Sequence, residues 1–145
     1  MARPVIVVGV TSSPRPSVLL PAAADMAAAL DGQLVVVHVV HLPVVVAAES
    51  IAAAGAAIAA DEADERAVHL ACVEALRVYR IPWRFEPRRG EVAHELQAVA
   101  EENDAACIVI GRRGRHHLVH ALSGSPLHPL VDRSLRPVLV VPDPV

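Results

Sequence analysis

The strongest structural signal in this chain is the segment CIVIGRRGRHHLVHALSGSPLHPLV, residues 107–131. A run of mostly β-branched residues at 107–110 is typical of a buried strand, and a helical pattern follows at 126–135. Glycine-containing turns lie between the two elements. We expect the inward face of the helix to consist of its recurring apolar positions, Leu127, Leu130, Val131 and Leu135.

The same alternation of strand-like and helical patterns continues outward along the chain. Further strands are predicted at residues 5–10, 34–40, 83–86 and 138–141. Further helices are predicted at residues 17–30, 56–79 and 90–102, with an Ala-rich connection at 41–55. Strands that are continuous in Val and Ile are usually buried on both faces. The pattern therefore predicts an α/β fold with a parallel sheet covered by helices on both sides.

Length and composition indicate one globular domain spanning residues 1–145, with 54% apolar residues to build its core. The net charge of -3 and the scarcity of aromatic residues argue against nucleic acid and anionic membranes as partners. Cys72 and Cys107 are expected to be buried, reduced thiols, which fits a cytoplasmic protein. No targeting segment is convincing, and the apolar stretch at residues 42–60 is too rich in Ala for a membrane span.

The turns after residue 110 are the place to look for a ligand, because open parallel sheets bind ligands beyond the carboxyl ends of their strands. Gly111 and Gly114 are expected to permit positive φ and close approach of the backbone to a ligand. Gly124 and Ser125 precede a helix N-terminus, which favours anions. Positive charge is supplied by Arg112, Arg113 and Arg115. An ordinary loop with solvated arginines and a serine helix cap fits the same residues.

The spacing Gly-x2-Gly-x9-Gly-Ser, beginning at Gly111, resembles the ATP-binding signature of the universal stress protein family. The resemblance covers nearly the whole chain. It includes VIVVGV at residues 5–10, VHV at 37–39, Gly90 and RPVLVVP at 136–142. The glycine motif is the specific feature, because its spacing agrees with its strand–loop–helix context, whereas any one glycine would be a weak signal.

The resemblance implies a three-layer α/β/α fold, of the adenine nucleotide alpha hydrolase-like type, whose five parallel strands are ordered 3-2-1-4-5. It implies ATP or a related adenine nucleotide, with or without Mg, held between the first and fourth strands. The implied binding residues are Gly9, Val10, Thr11, Val39, Gly111, Arg113, Gly114, Arg115, Gly124 and Ser125. The implied role is stress-response regulation without strong catalysis, although weak ATPase activity stays open.

A homodimer through the last strand is expected on two grounds. An apolar edge strand at residues 138–141 is an aggregation hazard unless it is paired, and a two-fold related copy would pair it. The family resemblance implies dimerisation through the same strand. An unidentified protein partner is also expected for a regulatory protein of this kind.

Four positions depart from the family pattern, and three of them, Thr11, Pro126 and Leu127, leave an alternative open. Thr11 stands where the family usually has Asp, and Ala106 where an Asp often precedes the fourth strand. Pro126 removes one backbone N–H from the phosphate loop, and Leu127 replaces a hydroxyl residue. The alternative is a dimeric interaction module of the same family that binds no nucleotide.

Other kinds of site find little support in the sequence. Three histidines, His116, His117 and His120, lie in the glycine-containing loop, but no carboxylate or thiol accompanies them between Gly111 and Ser125. We therefore expect no metal site. Dinucleotide-binding, P-loop and nucleophile-elbow motifs do not occur in the sequence, so no catalytic residue is assigned.

Overall fold

The computed structural model describes residues 2–11, 18–40, 51–113 and 127–143. The strands in these ranges are β1 (Val5–Val10), β2 (Gln33–Val40), β3 (Trp83–Arg89), β4 (Cys107–Arg113) and β5 (Val138–Asp143). The helices are α1 (Leu19–Ala29), α2 (Ile51–Leu76), α3 (Val92–Glu102) and α4 (Leu127–Arg133).

The five strands form one parallel sheet in the order β3-β2-β1-β4-β5, which confirms the expected topology. The chain runs outward from β1 through β2 to β3, and then crosses back to build β4 and β5 on the other side. The winding direction therefore reverses between β1 and β4, which are neighbours in the sheet.

Successive residues of each strand face opposite helical layers, as the pleat of a strand requires. On one face, Val8 and Val36 pack with residues of α1 and α2. On the other face, Val7 and Val35 pack with residues of α3 and α4. Both faces of the central strands are covered, which explains why their sequences are nearly continuous in Val and Ile.

Helix α2 is displaced from its predicted bounds, beginning at Ile51 instead of residue 56 and ending at Leu76 instead of 79. Alanine has the highest helix propensity, so an Ala-rich connection readily joins the helix that follows it. Val68 and Cys72, four residues apart on one side of the helix, are buried. Residues 41–50 lie outside the described ranges. Within those ranges, no helix combines the length and apolar character that crossing a bilayer needs.

Two strands extend three residues beyond their predicted ends, and the cause in each case is a neighbouring strand. β3 reaches Arg89 because β2 continues beside it to Val40. β4 reaches Arg113, which pairs with Asp143 of β5. Local sequence patterns contain no information about such pairing, so the extra residues were predicted as loop.

The predicted inward face of α4 is only partly correct. Leu130 is fully buried and Leu127 is half-buried, but Val131 and Leu135 are 55% and 86% exposed. The helix is two turns long and ends at Arg133, so Leu135 lies beyond it. Spacing along the chain could not show that α4 would end before Leu135.

Candidate functional site

The carboxyl ends of all five strands lie at one edge of the sheet because the strands are parallel. A gap opens at this edge between two of them. The β1–β2 pairing continues to Val10 and His38, and the β4–β5 pairing continues to Arg113 and Asp143. The β1–β4 pairing, in contrast, ends at Val8 and Val109, although both strands continue.

This separation of β1 and β4 coincides with the reversal of winding direction. In open α/β sheets, such a position is where a crevice forms and where ligands bind. Beyond Val8 and Val109, main-chain N–H and C=O groups of β1 and β4 border this gap and are not paired across it. We refer to this gap as the β1–β4 crevice.

Val10 and Gly111 lie on the side of the crevice that faces α1. Val10 belongs to the apolar cluster of α1 and α2, together with Leu19 from the first turn of α1. A methyl group added at Gly111 would lie 3.5 Å from Leu19 Cδ2, an ordinary van der Waals distance. The structure thus places Val10, Leu19 and Gly111 around one apolar wall.

Gly9 and Val39 lie on the opposite side, facing α3. A methyl group added at Gly9 would lie 3.1 Å from both Cδ1 and Cδ2 of Leu96, which is tighter than ordinary packing. Val39 packs against the same apolar cluster. The missing side chain of Gly9 therefore lets Leu96 of α3 pack directly against the sheet, where Leu96 is fully buried.

Leu19 and Leu96 were not among the residues that the sequence singled out. Both lie at apolar positions of predicted helices, and their spacing identifies them as core residues. Nothing in that spacing indicates that they approach Gly111 and Gly9 at the carboxyl edge.

Gly111 corrects one expectation directly, because it lies within β4 and pairs with Val141 instead of opening a loop. Among the described glycines, Gly90 has positive φ, at 138°, and Gly111 is in the extended strand. The absence of a side chain at Gly111 thus leaves room beside the strand instead of permitting a turn.

Two polar residues lie at the carboxyl ends of the strands that border the crevice. Thr11 is exposed immediately after β1, and Arg112 is exposed near the end of β4. The backbone of Arg113 is part of β4. The other predicted binding residues, Gly114, Arg115, Gly124 and Ser125, lie outside the described ranges, as do Pro126 and the histidines of the same loop.

His38 lies in the core beside this edge. Only 4% of the residue is exposed, and its ring stacks near Phe85 with 6.4 Å between ring centroids. His38 Nε2 lies 3.8 Å from a carboxylate oxygen of Asp64, while no described residue hydrogen-bonds Nδ1. The imidazole faces α2, away from the neighbouring Val39.

Neither cysteine has the character of a nucleophile. Both thiols are free and buried. Burial raises the pKa of Cys72 to about 11 and also raises the pKa of Cys107, because it disfavours the charged thiolate.

In the described ranges, no three His, Cys, Asp or Glu side chains are grouped as a metal site requires. Apolar walls, main-chain polar groups and an arginine can bind a ligand without transforming it.

Comparison with known proteins identifies the fold's relatives. A universal stress protein crystallised in complex with cAMP is 22% identical over 99% of this chain and 100% of the other, with a TM-score of 0.67. A universal stress protein family member from Burkholderia pseudomallei is 24% identical over 95% of each chain, with a TM-score of 0.73. The universal stress protein from Archaeoglobus fulgidus in complex with dAMP is 20% identical over 96% and 97% of the chains, with a TM-score of 0.67.

At these identities the similarity to solved structures concerns the fold. A search of curated protein sequences found no match. The sequence model of the universal stress protein family, in contrast, matches residues 3–142, nearly the whole chain. This chain therefore belongs to the universal stress protein family.

Proposed function

We propose that this protein binds an adenine nucleotide, ATP or a related one, in the β1–β4 crevice. The observation that carries the proposal is the early end of the β1–β4 pairing at Val8 and Val109. The nucleotide complexes of two structural relatives, with cAMP and dAMP, support the same ligand class.

The chemistry of the crevice matches the two ends of a nucleotide. The apolar wall at Val10, Leu19 and Gly111 suits a base or the face of a ribose. Unpaired main-chain groups at the ends of β1 and β4 supply hydrogen bonds to the sugar. Arg112 brings positive charge to the end of β4, where a phosphate would lie.

The residues we assign to the phosphates are Arg113, Gly114, Arg115, Gly124 and Ser125. Gly9, Val10, Thr11, Val39 and Gly111 are assigned to the base and ribose. Mg can accompany the nucleotide.

We infer a regulatory role in the stress response without strong catalysis, because no described group beside the crevice is placed as a general base. Buried, reduced thiols support a cytoplasmic location.

A second candidate function is a dimeric interaction module that binds no nucleotide. Leu127 favours it, because it packs into the cluster of α3 and α4 and presents no hydroxyl group. Thr11 also favours it, since its exposed hydroxyl carries no charge. Mass spectrometry of small molecules retained by freshly purified protein separates the candidates: retained adenine nucleotide supports the first, and a ligand-free protein that captures a defined partner supports the second.

We further infer a homodimer through β5. The N–H of Ile108 donates to the carbonyl of Pro137 at 2.9 Å, which directs alternate residues of β5 towards β4. The main-chain groups of Val138 and Val140 therefore point away from the sheet. A two-fold related copy of β5, running antiparallel, can pair with them.

Isothermal titration with ATP, ADP, AMP and cyclic AMP tests nucleotide binding. Gly111→Ala is the informative variant. The fold has room for the added methyl group, but the methyl group would clash with a ligand bound close to the strand. We expect Gly111→Ala to weaken binding by about tenfold or more, a cost of about 1.4 kcal/mol, with an unchanged melting temperature.

Gly55→Ala provides the matched control, since a methyl group there meets nothing within 4 Å and lies on α2. It should leave nucleotide affinity unchanged. The absence of heat with all four nucleotides at millimolar concentration would overturn the proposed function.

A further inference from the structure

The outer face of α2 carries an arrangement of side chains that the proposed function does not use. Glu62, Arg66, Leu70 and Glu74 follow one another at intervals of four residues, and Arg77 follows after three. Residues spaced in this way lie along one side of a helix. All five are exposed, and they lie opposite the buried row that includes Val68 and Cys72. We call these five residues the Leu70 stripe.

The centre of the Leu70 stripe is apolar. Leu70 is 69% exposed, and Val73, one turn away, is 44% exposed. The charged residues nearby are also accessible: Glu74 forms an ion pair of 3.5 Å with Arg77, the residue immediately after α2, but both side chains remain 72% exposed. Such an ion pair is weak in water, so its members can be shared with a partner.

The order of charges along the stripe is self-complementary when the helix is reversed. From the N-terminus it reads negative, positive, apolar, negative, positive. In an antiparallel pair centred on Leu70, residues equally far from Leu70 in opposite directions lie at the same height. Arg66 then lies level with the partner's Glu74, and Glu62 lies within one residue of the partner's Arg77.

A two-fold axis makes each of these pairs occur twice and brings the two Leu70 side chains together. A parallel pair would instead place like charges side by side. The charges therefore select both the partner, another copy of this chain, and its orientation. Exposed Ala67, about one turn from Leu70, allows the two helices to approach closely.

We propose that the Leu70 stripe is a second self-association surface, through which two copies pair their α2 helices antiparallel around Leu70. This surface is separate from β5 and does not depend on nucleotide binding. Chains that use both surfaces form assemblies larger than dimers. The contact is small, so association through α2 is weak and depends on protein concentration.

A cysteine crosslink tests the geometry. In Leu70→Cys, the new thiols face each other across the two-fold axis, whereas Leu30→Cys places a thiol at another exposed leucine, 50% accessible at the end of α1. On mild oxidation at high protein concentration, we expect Leu70→Cys to form covalent dimers about tenfold faster than Leu30→Cys. The native Cys72 and Cys107 are buried and contribute little. Equal rates for the two variants would overturn the proposal.

Charge exchange tests the orientation. In the Leu70→Cys background, Arg66→Glu and Glu74→Arg should each slow crosslinking by about fivefold, because each replaces attraction by repulsion at two symmetric positions. The double variant R66E/E74R restores opposite charges and should recover the original rate. A double variant as slow as the single ones would rule out the antiparallel arrangement. Nucleotide titration of the same variants should be unchanged, which separates this inference from the proposed function.

Discussion

The two edge strands of the sheet, β3 and β5, differ in what they offer to another strand. On β3, Arg88 is surrounded by carboxylates: it hydrogen-bonds Glu102 and lies 3.5 Å from Glu86 and 3.6 Å from Glu95. Arg84 on the same edge hydrogen-bonds the side chain of Asn103 at 2.8 Å. Charges held along an edge oppose pairing with a second strand, because pairing would remove them from water.

β5 has the opposite character. It begins with four consecutive apolar residues, of which Leu139 is 41% exposed, and prolines at 137 and 142 bracket them. Val131 on α4 and Leu135, between α4 and β5, are also exposed apolar residues. The comparison teaches that the protein protects one edge with its own charges and leaves the other suited to a partner. The following changes test that difference.

The largest effect is expected from a charge on the apolar edge. Leu139→Lys should raise the dissociation constant of the proposed β5 homodimer by about a hundredfold, since an apolar residue near the centre of an interface dominates its affinity. Sedimentation velocity at micromolar concentration should show the mass falling from dimer to monomer. Leu30→Lys makes the same change at another exposed leucine, at the end of α1, and should leave the dimer intact. A Leu139→Lys protein that remains dimeric would contradict the assignment of β5.

The second effect concerns the charged edge. Arg88→Met removes the cation shared by Glu86, Glu95 and Glu102, and leaves three carboxylates close together. We expect the free energy of unfolding to fall by about 1–3 kcal/mol, the usual cost of losing a hydrogen bond to a charged group.

Chemical denaturation measures the change. Arg3→Met is the control, because Arg3 and Asp31 form a pair of 3.2 Å whose side chains are 51% and 88% exposed. Its removal should cost under about 0.5 kcal/mol. If both variants lost the same stability, the carboxylates around Arg88 would have no special role.

A smaller effect is expected at the start of β5. Arg136 donates to Glu101 at 3.0 Å, to Asp104 at 2.7 Å and to the carbonyl of Ala105 at 3.1 Å, and so ties the chain before β5 to the end of α3. Arg136→Met should lower the melting temperature without changing the strand order. Thermal unfolding followed by circular dichroism checks this, and an unchanged melting temperature would show that β5 is held by its pairing with β4 alone.

The smallest effect is a pH dependence of the same contact. The hydrogen bond from Arg136 holds the pKa of Glu101 below its usual range. Ionised Glu101 therefore contributes stability at neutral pH, and the contribution is lost as the pH falls through that lowered value. The stability difference between the native protein and Arg136→Met should shrink on acidification. A difference that stays constant from neutral pH to pH values below that lowered pKa would exclude this linkage.

Much of the fold could be predicted from local pattern. The run at residues 5–10 became β1 with the predicted bounds, because β-branched residues in a short run have few other stable conformations. The end of β4 could not be predicted, because Gly111, Arg112 and Arg113 become a strand only through their pairing with β5. The candidate site was likewise predicted in part: glycine spacing identified Gly111, whereas Leu19 and Leu96 enter the site through contacts between distant elements.

By itself, the amino-acid sequence determined the class of this protein, the alternation of its strands and helices, and its family. Those properties depend on residue type and short-range spacing, both of which can be read from the sequence alone. Only the tertiary structure decided where β1 and β4 separate, which apolar residues of α4 stay exposed, and how charge is divided between β3 and β5. These features depend on which strands become neighbours, and the order of the strands is determined by cooperative burial of the whole core.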